Sequence, residues 1–269
     1  MVNFALTIAG SDSGGGAGIQ ADLKTFQELE VFGMSALTAV TAQNTQGVHG
    51  VHPIPPEFIA GQIDAVADDI AVDALKTGML FSADIIEVVA ERIKQYGWEK
   101  VIVDPVMIAK GGASLLQKEA VTAFKKHLLP LSFIITPNIP EAEELTGMEI
   151  KTEKDKLQAA KELIDLGAKN VIIKGGHDLQ IEESTDLLYD GSHSFIFTEK
   201  RYPTKNTHGT GCTFSAAITA EIAKGFSVYD AVAVAKNFIT EAIKEDLEIG
   251  NGNGPTNHWA YKRKVGITQ

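Results

Sequence analysis

Short apolar runs alternate along this chain with longer stretches whose apolar residues recur at helical spacing. Phe4–Ala9, Ala74–Thr77, Val101–Asp104, Phe133–Thr136 and Val171–Lys174 are mostly apolar, which predicts strands buried on both faces. Between them, Ala17–Leu29, Pro56–Val66, Ala83–Tyr96, Gln117–Leu128 and Lys154–Leu166 carry the amphipathic pattern of helices covering a sheet. This repeated β–α order predicts a mostly parallel sheet with helices on both faces, and it places ligands at the carboxyl ends of the strands.

Two stretches depart from the rhythm. Ser35–Ala42 and Val48–Ile54, around Asn44-Thr45-Gln46-Gly47, read as a hairpin-like excursion that forms a small flap. Thr185–Tyr189 and Ser194–Thr198, around Asp190-Gly191, read as a second hairpin. The tail Gly250–Pro255 has the composition of a flexible surface loop. With no internal repeat and no Pro/Ser-rich linker, a single domain over residues 1–269 is expected.

Composition removes several function classes. A chain of 269 residues that is 44% apolar can bury one large core. Its formal charge of −11 disfavours nucleic acid and anionic membranes as partners. One cysteine rules out an internal disulfide and a cysteine-rich zinc site, and it fits a reducing cytoplasm. Met1–Gly10 lacks a positive n-region and reads as a first strand rather than a leader.

The candidate chemistry sits at the predicted strand ends. Asn206-Thr207-His208-Gly209-Thr210-Gly211-Cys212 runs into the alanine-rich stretch Ser215–Ala223, so glycine-directed N–H groups and a helix N-terminus converge on an anion site. From the residues alone Cys212 is open to three roles: nucleophile, weak base or packing. Gly10–Gly18 resembles a phosphate loop without the spacing of one, and is either a backbone contact to a small molecule or a bare turn. Asp22 follows four residues after Gly18. Asp104 and Asn138 end strands, and Glu141 falls in the first turn of a short helix; such oxygen-rich groups suit Mg²⁺ at a nucleotide phosphate better than zinc. Lys174 either meets an anionic phosphate or snorkels to solvent. Among the histidines only His208 is placed to act; His49, His52, His127, His177, His193 and His258 read as surface or loop residues.

Ala9–Lys24, Thr41–Thr45, Lys76–Leu80, Asp104–Met107, Thr136–Glu141, Lys174–His177 and Asn206–Cys212 together resemble, in order, the hydroxymethylpyrimidine/phosphomethylpyrimidine kinases of thiamine biosynthesis, a branch of the ribokinase-like superfamily. The resemblance implies a ribokinase-like three-layer α/β sandwich, a homodimer, and ATP with Mg²⁺. It implies that Gln43 bonds the aminopyrimidine, that Asp22 lies near the hydroxymethyl group, and that Ala17, Met79 and Val106 line the ring pocket. Asp104 and Glu141 would organise the metal, Asn138, Lys174 and Thr207 would face the nucleotide, and Gly209, Thr210, Gly211 and Cys212 would hold the transferring phosphoryl group.

Bacterial pyridoxal kinases are similar but carry a Met-Asp type pair in place of Gln43-Asn44 and a second cysteine in place of Ala109, so both departures favour the pyrimidine. A cysteine hydrolase using Cys212 and His208, and a non-catalytic sensor that keeps Gln43, are the competing classes. The first lacks an orienting group, and the second would have no need of the phosphate and metal residues.

Overall fold

The computed structural model describes residues 2–107, 118–176 and 182–266. In chain order it contains β1 (Phe4–Ser11), α1 (Gly18–Glu28), β2 (Phe32–Asn44), β3 (Gly47–Pro53), α2 (Pro56–Ala67), β4 (Ala74–Thr77), α3 (Ala83–Tyr96), β5 (Val101–Val103), α4 (Lys118–Ala123), β6 (Ile134–Ile135), α5 (Ile139–Thr146), α6 (Glu153–Asp165), β7 (Val171–Ile173), β8 (Glu183–Tyr189), β9 (Ser194–Lys200), α7 (Thr210–Ala223), α8 (Val228–Lys244) and α9 (Ala260–Lys264). The strands form one sheet in the order β3-β2-β1-β4-β5-β6-β7-β8-β9. Pairing is parallel from β2 through β7 and antiparallel at both edges.

Successive strand residues feed opposite faces, because side chains on a pleated strand alternate. Leu6, Leu75, Val103 and Ile173 enter the core that includes Ile59, Ile86 and Leu163 of α2, α3 and α6. Ala5, Ala74, Ile102 and Ile172 enter the other core, with Phe26 of α1, Ile218 of α7 and Phe238 of α8. The expected three-layer α/β sandwich is therefore the observed one. Among the described residues no helix is long and apolar enough to cross a membrane.

Strands β5, β6 and β7 are shorter than their apolar runs, whereas β4 matches its run and β1 extends beyond it to Ser11. Asp104, Thr136 and Lys174 close the strands: Asp104 N–H still bonds the Thr77 carbonyl at 3.0 Å and Thr136 N–H the Val103 carbonyl at 2.9 Å, while Lys174 forms an isolated bridge to Asn138. The run at residues 117–128 begins outside the described residues, continues as α4 and then widens into a π-helical turn, Phe124–Leu128. The first hairpin is present, with β2 and β3 paired antiparallel from Ala39↔Pro53 to Asn44↔Gly47, but it extends a longer strand. Strand β2 starts as a full parallel partner of β1, from Phe4↔Phe32 onward, and only its distal half pairs with β3.

The tail also departs from expectation. Gly252 and Gly254 pack so tightly on Thr45, Gln46 and Asn206 that neither position has room for a side chain. The Asn253 N–H bonds the Thr45 carbonyl at 2.8 Å and His208 bridges to Pro255, so this segment straps the flap to the anion turn. His258 is buried rather than on the surface, 3.0 Å from the Thr213 hydroxyl, and burial lowers its pKa to about 4.

Candidate active site

The site lies along the carboxyl ends of the parallel strands. Gly209 caps α7 with φ +81°, where a Cβ would run into the Gly16 carbonyl oxygen. Only glycine allows the turn to close so tightly on the loop after β1. One residue into the helix, a Cβ at Gly211 would stand 3.4 Å from Lys174 Nζ and 3.8 Å from Asp104 Oδ2. The anion turn thus faces the strand-end cation directly.

Lys174 does not snorkel. Its Nζ donates to Asp104 Oδ1 at 3.0 Å, with side-chain exposures of 15% and 2%. Asp104 also accepts from the Ser215 hydroxyl at 3.2 Å and from Thr136 at 3.4 Å. Burial raises this carboxyl, but Lys174 foremost, with Lys76 and Ser215, holds it below the usual carboxylate range. Asn138 caps α5: its side chain accepts from the Glu141 N–H at 2.9 Å while Glu141 Oε2 accepts from the Asn138 N–H at 2.8 Å. Burial pushes Glu141 up to about 7, with Lys174 pulling it down and Asp104 pushing it further up. The ionised Asp104 thus makes the neighbouring Glu141 harder to ionise, a repulsion that a divalent cation would relieve, and magnesium commonly takes only one or two protein carboxylates. Among the described residues no larger group of metal-binding side chains is present.

The loop after β1 is organised by a residue the sequence reading passed over. Asp12 accepts from Gly14 N at 2.8 Å, Gly16 N at 3.0 Å and Ala17 N at 2.8 Å. It also pairs with His208 Nε2 at 2.8 Å. Burial works against it, yet the His208 contact and these backbone donors depress its pKa. His208 is therefore spoken for by Asp12 and does not form a dyad with Cys212. The same imidazole nitrogen lies 3.3 Å from Gln43 Nε2. Because Asp12 requires a donor from that nitrogen, the Gln43 amide is assigned with its oxygen toward His208.

Thr210 donates its hydroxyl to the Thr207 carbonyl at 2.7 Å, closing the turn on itself. Met79 lies over Gly10 so closely that the glycine cannot become alanine without displacing it. Met79, Val106 and Ala17 are all half-buried, as pocket walls would be. Asp22 lies inside the fold. It is fully buried one helical turn below Gly18, bonded to Thr7 Oγ1 at 2.6 Å and to Lys76 Nζ at 3.0 Å. Behind Lys174, the Gly175 N–H is held by Asp186 at 2.8 Å, which in turn pairs with Lys236 at 2.8 Å. Ala109 and His177 lie outside the described residues.

Burial pushes the Cys212 thiol up to about 11, Lys76 opposing and Asp22 and Asp104 reinforcing the shift. It is a neutral thiol at physiological pH. Alkylation by iodoacetamide at pH 8 is therefore expected to be at least about tenfold slower than for a free thiol, because only the thiolate reacts. Mass spectrometry of the labelled chain checks this, and prompt labelling would count against it.

A lysine and paired carboxylates at parallel strand ends, facing a glycine turn at a helix N-terminus, are the parts of a ribokinase-like phosphotransferase. The chain belongs to the phosphomethylpyrimidine kinase family, whose model matches residues 12–257, and it is a kinase. It is 62% identical over 259 residues to a hydroxymethylpyrimidine/phosphomethylpyrimidine kinase of Bacillus subtilis, covering 96% of each chain. It is 50% identical to a pyridoxine kinase of the same organism, again covering 96% of each. The crystal structure of an ADP complex of Bacillus subtilis pyridoxal kinase superposes with a TM-score of 0.90 at 47% identity, covering 98% of this chain and 100% of the other.

Proposed function

We propose that the chain transfers the γ-phosphoryl group of ATP to the hydroxymethyl oxygen of 4-amino-5-hydroxymethyl-2-methylpyrimidine, and then transfers a second to the resulting monophosphate, in thiamine biosynthesis. The placement of Lys174 against Gly211 carries the phosphoryl-transfer reading. The substrate reading is supported by the relative of matching length named for those two activities.

In each step an acceptor oxygen attacks the γ-phosphorus and the bond to the ADP oxygen breaks, ADP carrying away the electron pair; in the first transfer the hydroxyl proton of the acceptor is released to solvent. Such a transition state is loose and needs positioning and charge more than a strong base. Lys174 and the N–H groups of Gly209–Cys212 stabilise the negative charge on the phosphoryl oxygens, while Asn138 and Thr207 lie at the nucleotide. Gln43 orients the ring through its amide, which offers donors and an acceptor together. Magnesium bound by Asp104 and Glu141 would neutralise part of the nucleotide charge. The enzyme works as a single cytoplasmic domain in a homodimer.

Cys212 stands where related sugar kinases place an aspartate base. A second carboxylate about 4 Å from the anionic monophosphate would cost roughly 1 to 4 kcal/mol. Cys212→Asp is therefore expected to lower kcat/KM for the monophosphate about tenfold more than for the alcohol, as read by initial rates on both. Equal losses would remove the charge argument.

A pyridoxine or pyridoxal kinase activity is the second reading, favoured by the pyridoxine kinase relative. A coupled ATPase comparison of hydroxymethylpyrimidine, its monophosphate and pyridoxal on the purified chain separates the two. Turnover of both pyrimidines above pyridoxal is the expected result, and pyridoxal as the preferred substrate would overturn the assignment.

A further inference from the structure

Lys76 has no part in the chemistry described so far, yet it lies buried beside Asp104 and Cys212 of the site. It lies in β4 between Thr7 of β1 and Ile102 of β5. Two residues before it, Ala74 faces the core beneath α1 and α7, so strand alternation turns Lys76 toward the same helices. The side chain is fully buried, with Nζ 3.0 Å from Asp22 Oδ2. A Cβ at Gly78, beside the proposed pocket wall Met79, would meet that Nζ at 3.1 Å. The charged and titratable groups around it come from separate elements: Asp22 from α1, Asp104 from the end of β5 and Cys212 from α7. Burial opposes its charge, yet Asp22, with Cys212 and Asp104, keeps its pKa raised.

Stability does not account for the pair. A buried ion pair is commonly no better than an apolar pair of similar volume, so its retention points to function or specificity. Asp22 also keeps one oxygen, Oδ1, buried and unpartnered. An orphaned acceptor is costly, and because Asp22 has no exposed surface the lysine beside it is its main compensation. The first product replaces a neutral hydroxyl with a phosphomonoester anion. Burial raises the Asp22 pKa and Lys76 is the foremost group opposing that rise; an Asp22 left ionised without its lysine would repel the second substrate, whereas one matched by a lysine would not. Asp104 is matched by Lys174 in the same way.

We propose that Lys76 is a positioning and specificity-determining residue: by cancelling the charge of Asp22 beneath the acceptor, it lets one site take first a neutral hydroxymethyl group and then an anionic phosphomethyl group. The proposal rests on the two-step reading above and names the residue that makes the second step possible.

The test is kcat/KM for hydroxymethylpyrimidine and for its monophosphate on the full chain, comparing wild type, Lys76→Met, Asp22→Asn and the double variant. Lys76→Met is expected to lose roughly tenfold more on the monophosphate than on the alcohol, chiefly through KM, because it leaves a carboxylate unmatched. Asp22→Asn shifts the ratio the opposite way, since the lysine is then unmatched. The neutral double variant returns the ratio toward wild type although both rates stay low. A purely structural role would lower both substrates together and leave the ratio untouched. Equal losses in Lys76→Met, or an unchanged ratio in Asp22→Asn, overturn the proposal. Should Lys76→Met fail to fold, Asp22→Asn and the double variant decide it by the same ratio. A wild type inactive on the monophosphate sinks the two-step reading and this proposal together, whereas a wild type active on both with unmoved variant ratios sinks this proposal alone.

Discussion

Replacing Lys174 by methionine is expected to lower kcat by about 10²- to 10³-fold, the range found when one preorganised donor to a developing anion is removed. Its Nζ would stand 3.4 Å from a Cβ at Gly211 and is held by Asp104 at 3.0 Å, so methionine keeps the apolar stem while deleting the charge. The same change leaves the Asp104 carboxylate buried without its lysine. Breaking a buried pair costs about 3 to 5 kcal/mol, and the Ser215 and Thr136 hydroxyls that still donate to Asp104 place this case near the lower end.

The sign of the pH dependence follows from Asp104. Its folded-state pKa is depressed in the wild type, so its contribution to stability is present above the unfolded carboxylate value and is lost as pH falls through the folded one. The stability gap between wild type and Lys174→Met should therefore be full at pH 7 and narrow below about pH 4. Urea midpoints at the two pH values, beside initial rates, check both parts. Unchanged kcat would remove Lys174 from the phosphoryl site, and a gap independent of pH would dissociate it from Asp104.

Gly209→Ala is expected to cost about 2 to 4 kcal/mol and to reduce kcat/KM by at least about 10²-fold. The backbone there is left-handed at φ +81°, and the added methyl would collide with the Gly16 carbonyl. Relief requires the β1 loop and the anion turn to separate, which misdirects the N–H groups and loosens the Asp12–His208 clamp. Gly211→Ala provides the contrast. Its methyl would be a tight 3.4 Å from Lys174 Nζ but far from any backbone collision, so stability should stay nearly intact while phosphate binding suffers. Thermal denaturation with steady-state kinetics on both variants distinguishes them. A Gly209→Ala protein as stable and active as wild type would show that the turn does not depend on this close approach.

The parallel order of the sheet was legible because fully buried strands are short continuous apolar runs separated by amphipathic helices, and that pattern is local. The anion turn was legible for the same reason, since Gly209, Gly211 and the start of α7 are neighbours in the chain. Strand ends were less so. The residues Asp104, Thr136 and Lys174 continue apolar runs but lie just past the strand ends, and their side-chain partners come from distant segments. Helix α8 was not anticipated, although Ala231, Val232, Ala235, Phe238 and Ala242 supply a buried helical face. Nor does composition reveal that a glycine-rich tail is a strap; Gly252 and Gly254 are small because Thr45, Gln46 and Asn206 press against them.

Lys76 and Asp12 show the boundary most clearly. A lysine inside a buried strand and an aspartate in a glycine loop were both visible, but their partners Asp22 and His208 lie 54 and 196 residues away. The sequence by itself determined the α/β class, the family and the strand ends at which chemistry would occur, because periodicity, glycine spacing and motif order are properties of neighbouring residues. Only the tertiary structure decided which carboxylate meets which lysine, that His208 serves Asp12 rather than Cys212, and that burial moves the thiol still further from ionisation. Those outcomes depend on burial and on charges brought together from α1, β4, β5 and α7, and no local stretch of chain encodes that geometry alone.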